Sequence, residues 1–246
     1  MKDYKKLGVL IFSLYFSSAL YAQELTLTTQ DKFTLKADFF ESTITSHNAV
    51  LMLHQCNHNK NMYESIGNML SRQGIHALSL DFRGFGESKN QQYNIEKIRD
   101  LPENSRRAAW LNLSKHWPSD VALGYNFLKH KTGKNGQIAV IGASCGGAQA
   151  ISLAQSAPTS AMVFFSSAQN DDNIRRYQTS LANTPTLIIA AEQDGNTYIS
   201  AKKLFDSATH SNSKFISYKG AEHGYPLFKK DLNLEQLIVS WLTQQL

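Results

Sequence analysis

Short apolar runs recur along the chain, and polar or glycine-rich turns separate them. A continuous run of this kind is typical of a strand that is buried on both faces of a sheet. We predict strands of this kind at residues 49–53, 75–80, 137–141, 161–165 and 186–190, and a short alternating strand at 214–218. Residues 26–40 alternate apolar and polar side chains around a turn at Asp31-Lys32, which indicates an antiparallel hairpin at the start of the sheet.

Segments with helical spacing lie between these runs. The spacing predicts helices over residues 62–72, 120–130 (with Ser119 as its N-cap), 146–154 and 233–246. Strands that alternate with helices favour a mainly parallel sheet with helices on both faces. In such a fold, ligands bind at the carboxyl ends of the strands.

The N-terminal segment has the pattern of a secretory signal. Three lysines precede an apolar stretch of 14 residues, Leu7–Leu20, and cleavage is expected after Ala22. The stretch is short for a membrane span, and the alternatives are an uncleaved anchor or a buried first helix. We predict a signal peptide at residues 1–22, one domain at 23–246, a periplasmic or secreted location, and no stable membrane anchor after cleavage.

Composition indicates an ordinary globular domain. The chain has 246 residues, of which 42% are apolar and 18% charged. The net charge is +5, and it falls to +3 without residues 1–22 because three lysines and one aspartate are lost. The basic residues form no cluster, so we do not expect nucleic acid as a partner.

A candidate nucleophile follows the predicted strand at 137–141. The segment Gly142-Ala143-Ser144-Cys145-Gly146 has the pattern Gly-x-Ser-x-Gly between a strand and a helix. The two glycines allow a sharp turn that holds the Ser144 hydroxyl above the sheet. The alternatives are an incidental serine in a glycine-rich turn, and Cys145 as nucleophile, which lacks the same flanking glycines.

A base and an acid follow later strands. Asp194 comes after the strand at 186–190, and His223 comes after the strand at 214–218. His223 would take the proton of Ser144 during attack, and Asp194 would hold the imidazole in the useful tautomer. Glu192, Asp171 and Asp172 are alternatives for the acid.

Two further polar segments follow the strands at 49–53 and 75–80. The first holds His54, Cys56 and His58, whose spacing on a loop matches no common zinc pattern, so we expect no metal. In the second segment, we predict that Asp81 and Arg83 lock a tight turn rather than contact substrate.

These motifs together resemble the α/β-hydrolase superfamily, near its dienelactone-hydrolase-like and small serine esterase branches. The resemblance rests on LHQCNHN, DFRGFGES, GASCGG and the loops of Asp194 and His223, in that order. It implies a single domain with an eight-stranded sheet, no cofactor and ester-like substrates. Two departures stand out: Gln55 occupies a position where relatives often have glycine, and Ser144 stands where dienelactone hydrolases have cysteine.

The resemblance also places an oxyanion hole. Its backbone N–H groups would come from Cys56 and from Cys145, the residue after the nucleophile. If both groups reach one oxygen, their Cα atoms lie within roughly 4–7 Å, a span that suits a disulfide bond. An exported protein meets an oxidising environment, so we predict a possible Cys56–Cys145 disulfide, with two free thiols as the alternative.

Two intervals bear on the substrate. Only about 20 residues, 166–185, separate two predicted strands, which leaves no room for a large lid. Residues 89–118 could form a small helical cover or a packed surface excursion. The sequence therefore indicates an exported serine hydrolase that acts on a small-molecule carboxylic ester, such as a short acyl ester or a lactone. The alternatives are a thioesterase, acyltransferase or peptidase with the same triad, or a non-enzymatic ligand-binding protein.

Overall fold

The structure is a computed structural model that describes residues 22–246. The predicted signal peptide at residues 1–22 lies outside this part of the chain except for Ala22, so the signal stays a prediction. Between residues 22 and 246, no helix is both long enough and apolar enough to cross a membrane.

Eight strands form one sheet. They are β1 (Gln23–Thr28), β2 (Thr34–Phe40), β3 (Asn48–Leu53), β4 (His76–Leu80), β5 (Gln137–Ala143), β6 (Ala161–Phe165), β7 (Thr186–Ala191) and β8 (Lys214–Tyr218). Their order is β1-β2-β4-β3-β5-β6-β7-β8. β2 pairs antiparallel with both β1 and β4, and the other five neighbouring pairs are parallel. The predicted eight-stranded, mostly parallel sheet is confirmed.

Helices cover both faces of this sheet. They are α1 (Glu64–Arg72), α2 (Ile95–Arg99), α3 (Glu103–Ser114), α4 (Trp117–Thr132), α5 (Cys145–Ala154), α6 (Asp171–Arg176), α7 (Gly195–Ser207), α8 (Pro226–Lys230) and α9 (Leu234–Gln245). Side chains that follow one another along a strand point to opposite faces. Within β3, Val50 and Met52 therefore join the core beneath α1 and α9, whereas Leu51 and Leu53 join the core beneath α4 and α5.

The start of α4 corrects one prediction. The helix begins at Trp117, before Ser119, so Ser119 is not its N-cap. Pro118 lies in the first turn, where a missing N–H is tolerated because that group would have no helical partner. The Ser119 hydroxyl instead donates a hydrogen bond to the His116 carbonyl at 2.8 Å.

Two intervals between strands of the sheet could carry a cover over the site. Residues 166–185 contain only α6 and one π-helical turn, Tyr177–Leu181, so no large lid is present there. Residues 89–116 contain α2 and α3, and every side chain from 103 to 108 is exposed. Leu113 is the one buried residue of α3. This insertion is helical but lies mostly on the surface.

Candidate active site

Ser144 lies at the tight turn between β5 and α5. Its backbone has φ 49° and ψ −117°, a conformation that is rare for a residue with a side chain. A Cβ atom on Gly142 would collide with the backbone of Gly146, and one on Gly146 would collide with the Leu53 carbonyl. The two glycines are therefore required for the turn, because only they let the backbone segments approach so closely.

The structure brings Ser144, His223 and Asp194 into one hydrogen-bonded chain. The Nε2 atom of His223 lies 2.9 Å from the Ser144 hydroxyl oxygen. The Nδ1 atom of the same ring lies 2.7 Å from Oδ2 of Asp194. The His223 side chain is 36% exposed and that of Asp194 is 15% exposed, so the ring meets solvent while the acid is sheltered.

The other acids considered from the sequence have different partners. Glu192 accepts a hydrogen bond from the Ser217 hydroxyl at 3.0 Å. Asp172 pairs with Arg175 and Arg176 on its own helix, and Asp171 lies 3.7 Å from the amine of Lys203. These acids form pairs elsewhere on the surface, whereas Asp194 contacts His223.

Cys56 and Cys145 form a disulfide bond, with their Cα atoms 5.8 Å apart. The bond joins the loop after β3 to the first residue of α5, next to Ser144. No cysteine in the described part of the chain is free. Residues 22–246 contain no cluster of histidine, cysteine and acidic side chains that could hold a metal ion.

His54 is fully buried behind the Cys56 loop. Its Nε2 atom accepts a hydrogen bond from the Phe82 N–H at 3.1 Å, and Nδ1 therefore donates to the Gln55 carbonyl at 2.8 Å. Burial lowers the pKa of His54 to about 4. The neutral ring thus links the loop after β3 to the loop after β4.

Gln55 connects the Cys56 loop to the His223 loop, a role that sequence reasoning missed. Its side-chain oxygen accepts a hydrogen bond from the Tyr225 N–H at 2.8 Å. The same oxygen lies against Gly224, where φ is +68° and a Cβ atom would collide with it. The only signal in the sequence was that Gln55 departs from the glycine that the resemblance implies at this position. Its partner, however, lies 170 positions further along the chain.

A second support of the Ser144 turn also escaped sequence analysis. The Ser167 hydroxyl donates to the Ser144 carbonyl at 2.7 Å. The buried Gln169 side chain donates in turn to the Ser167 hydroxyl, also at 2.7 Å. Both residues follow β6, so their loop fixes the backbone of the neighbouring Ser144 turn.

Asp81 and Arg83 hold the loop after β4 in place, as predicted, through contacts within the loop and with neighbouring elements. Asp81 accepts hydrogen bonds from the backbone N–H groups of Lys60 and Glu87, at 2.6 and 2.7 Å. Burial raises the pKa of Asp81 to about 6. Arg83 is buried and makes a two-pronged ion pair with Asp120, at 2.9 and 3.0 Å. Both side chains are occupied by structural contacts.

Together, the strained serine turn, the sheet order and the helical layers define the α/β-hydrolase class of proteins. Residues 45–183, more than half of the chain, match the family described as serine aminopeptidase, S33, and the chain belongs to this family. A search of curated protein sequences gives no significant match.

Solved structures with the same fold include several hydrolases. An esterase of Pyrococcus furiosus superimposes with a TM-score of 0.68 at 17% identity, over 92% of this chain and 93% of that one. A cold-adapted esterase from an Arctic intertidal metagenomic library gives 0.69 at 16% identity, over 96% and 100%. A dienelactone hydrolase of Anabaena variabilis gives 0.66 at 16% identity, over 92% and 99%. At these identities the likeness concerns the fold.

Proposed function

We propose that the protein is an exported serine esterase that cleaves a small carboxylic ester through Ser144, His223 and Asp194. The single observation that carries this proposal is the hydrogen-bonded chain from the Ser144 hydroxyl through both ring nitrogens of His223 to the Asp194 carboxylate. The esterase-like fold supports it, and so does the strained backbone of Ser144 at the turn before α5.

In the proposed mechanism, Nδ1–H of His223 donates to Asp194, which leaves Nε2 free to accept a proton. Ser144 attacks the ester carbonyl while Nε2 takes its proton, and the imidazolium then gives that proton to the leaving alcohol. Water next attacks the acyl-enzyme by the same route and releases the acid. The Asp194 carboxylate fixes the ring and stabilises its charged form.

The developing negative charge needs donors near the carbonyl oxygen. We assign this role to the backbone N–H groups of Cys56 and Cys145, because Cys145 follows the nucleophile and begins α5. The disulfide holds their Cα atoms 5.8 Å apart, which suits two donors that converge on one oxygen. Loss of one such donor typically costs about 3–4 kcal/mol of transition-state stabilisation.

One feature favours a small substrate, and two others favour an exported protein. The interval between β6 and β7 carries no large lid, and a short acyl ester or a lactone needs none. The disulfide and the N-terminal signal pattern both fit the oxidising periplasm or the exterior of the cell. The expected partner is thus a small-molecule ester, and the proposed reaction uses protein groups alone, with no cofactor.

A peptidase that uses the same triad is the second candidate, because the matching family is described as serine aminopeptidase. Both reactions begin with attack by Ser144 and differ in the leaving group. Matched ester and anilide substrates with the same acyl group would separate them. An esterase hydrolyses the ester and leaves the anilide almost intact, whereas a peptidase cleaves both.

A fluorophosphonate probe and a series of p-nitrophenyl esters test the proposal. We expect the probe to label the protein and Ser144→Ala to abolish both labelling and turnover, while the melting temperature stays close to that of the wild type. Esters from the short end of a two- to twelve-carbon series should be the better substrates. Absence of labelling in a well-folded protein would overturn the enzymatic proposal in favour of a ligand-binding role.

A further inference from the structure

A surface cavity of about 410 Å³ lies between α2 and α3, in the insertion that precedes α4. Its floor is apolar and consists of Ile95, Ile98 and the ring of Trp110. Ile95 and Ile98 are buried in the core cluster, and Trp110 packs partly against it. The cavity therefore has a firm base although α3 itself is mostly exposed.

The wall of the same cavity is cationic. Arg99, Arg106 and Arg107 line it together with one acid, Glu103. None of the three arginines forms an ion pair with a carboxylate of residues 22–246. Glu96, the acid three positions before Arg99, is engaged by Lys89 at 3.1 Å. Three guanidinium groups without acidic partners thus surround an apolar floor.

This cavity is connected to the proposed catalytic site through Arg99. The Nη2 atom of Arg99 donates a hydrogen bond to the Cys56 carbonyl at 2.9 Å. Cys56 is bonded to Cys145, which adjoins Ser144. A second cavity of about 350 Å³ also includes Ile95 and Arg99 and continues along the loop to Asn57 and His58. The cationic wall therefore begins at the loop assigned to the oxyanion hole.

The sheet order decides which part of an ester would face this wall. His223 follows β8 and delivers a proton to the leaving alcohol, so the alcohol leaves on the β8 side of Ser144. The acyl group stays on Ser144 and extends away from the leaving group. The insertion follows β4, on the other side of β5 in the sheet. The acyl chain would thus extend toward Arg99 and the cavity.

We propose that this cavity is an acyl subsite for esters whose acyl chain has an apolar segment and ends in a carboxylate. The inference rests on the proposed esterase function and specifies its substrate class. Guanidinium groups bind carboxylates through paired, charge-assisted hydrogen bonds, and the apolar floor accepts the methylene groups between the carboxylate and the ester. The neutral ester group remains at Ser144.

The test compares two six-carbon substrates that differ only at the far end of the acyl chain, p-nitrophenyl hexanoate and the p-nitrophenyl monoester of adipic acid. The readout is the ratio of kcat/KM for the anionic ester to that for the neutral ester. We expect the ratio of the wild type to fall about tenfold in Arg106→Gln/Arg107→Gln, as loss of charge-assisted hydrogen bonds implies. Raising the ionic strength should lower the wild-type ratio in the same direction.

Arg72→Gln/Lys214→Gln is the matched control. It removes the same net charge from exposed positions at the end of α1 and the start of β8, at the amino ends of the strands and away from their carboxyl ends, where the site lies. The control should keep the wild-type ratio. A wild-type ratio that Arg106→Gln/Arg107→Gln leaves unchanged, or that the control lowers equally, would overturn the inference. Absence of both hydrolysis and fluorophosphonate labelling would instead overturn the proposed function.

Discussion

The loops that follow β3, β5 and β8 and the insertion before α4 border the same site but are held very differently. The Cys56–Cys145 disulfide joins the loops after β3 and β5, and the Gln55 side chain joins the loops after β3 and β8. In the insertion, α3 buries only Leu113 and leaves the side chains of residues 103–108 exposed.

This difference matches two separate demands of the proposed catalysis. Reacting groups must hold one geometry, because a misplacement of about 1 Å can cost a hundredfold in rate. A subsite that receives the far end of a substrate tolerates more movement. We therefore expect changes in the three loops to affect turnover or stability strongly, and changes on α3 to affect mainly the choice of substrate.

The largest expected effect comes from a change at Asp194, the proposed acid, which contacts His223 in the loop after β8. Asp194→Asn should lower kcat by about 10⁴-fold, because an amide stabilises the wrong tautomer of His223. Steady-state kinetics on a short p-nitrophenyl ester measure it. Glu192→Gln is the matched control and should remain near the wild-type rate. A small effect at Asp194 together with a large one at Glu192 would assign the acid to the other residue.

The second largest effect is expected from removal of the disulfide, which should lower the stability of the fold. The bond closes a loop of 89 positions, and Cys56→Ser/Cys145→Ser should lower the free energy of unfolding by about 4.5 kcal/mol on the chain-entropy model. Denaturant unfolding of the variant measures this, and wild-type protein treated with a dithiol reductant should give the same value. Equal stability of oxidised and reduced wild type would contradict the expectation that the bond stabilises the fold.

Low pH should destabilise the folded protein through the protonation of His54. The pKa of this histidine is about 4 in the folded chain and near 6.5 when unfolded, so the unfolded state binds more protons between these values. Stability is therefore lost as the pH falls from about 6.5 to about 4, by about 3 kcal/mol from this group. Unfolding free energies across that range, compared with His54→Gln, isolate the contribution. A variant with the wild-type pH dependence would refute it.

Gln55→Ala should have a moderate effect on turnover. It leaves the Tyr225 N–H without its partner and loosens the link between the Cys56 loop and the His223 loop. We expect kcat to fall about tenfold, the equivalent of one lost hydrogen bond to a partly buried group. The rate of fluorophosphonate labelling should fall with it. Unchanged labelling would show that the two loops keep their positions independently of this contact.

The smallest effect is expected on α3. Leu111 is 59% exposed and is not part of the cavity wall. Leu111→Gln should change the free energy of unfolding by less than about 0.5 kcal/mol, because it removes little buried surface. Thermal unfolding and turnover of a neutral ester provide the check. A loss above this range would mean that α3 packs as firmly as the three loops.

The fold was largely accessible from the sequence because its strands are buried on both faces. The predicted bounds of β6 and β8 agree with the structure, since continuous or alternating apolar runs mark these strands directly. The predicted start of α4 was wrong because Ser119, which resembles a cap, follows Pro118, which already lies in the helix. Where this helix begins depends on packing, because Trp117 is buried in the core.

Within the candidate site, Ser144, Asp194 and His223 could be identified from the sequence by their order along the chain and their positions in loops after strands. The residues that support them were beyond reach. Ser167 and Gln55 are ordinary polar residues, and their contacts join loops that are distant along the chain. The departure at Gln55 marked an unusual position, but no local pattern identifies the distant partner of such a residue.

By itself, the sequence determined the succession of strands and helices, the serine turn and which loops carry the polar residues of the site. Each of these depends on residues that are close together in the chain. Only the tertiary structure decided which acid contacts His223, that the two cysteines are bonded, and that three arginines without acidic partners surround one cavity. Such contacts depend on how distant segments pack. A sheet with a fixed strand order brings its carboxyl ends together, and that order sets which side chains meet.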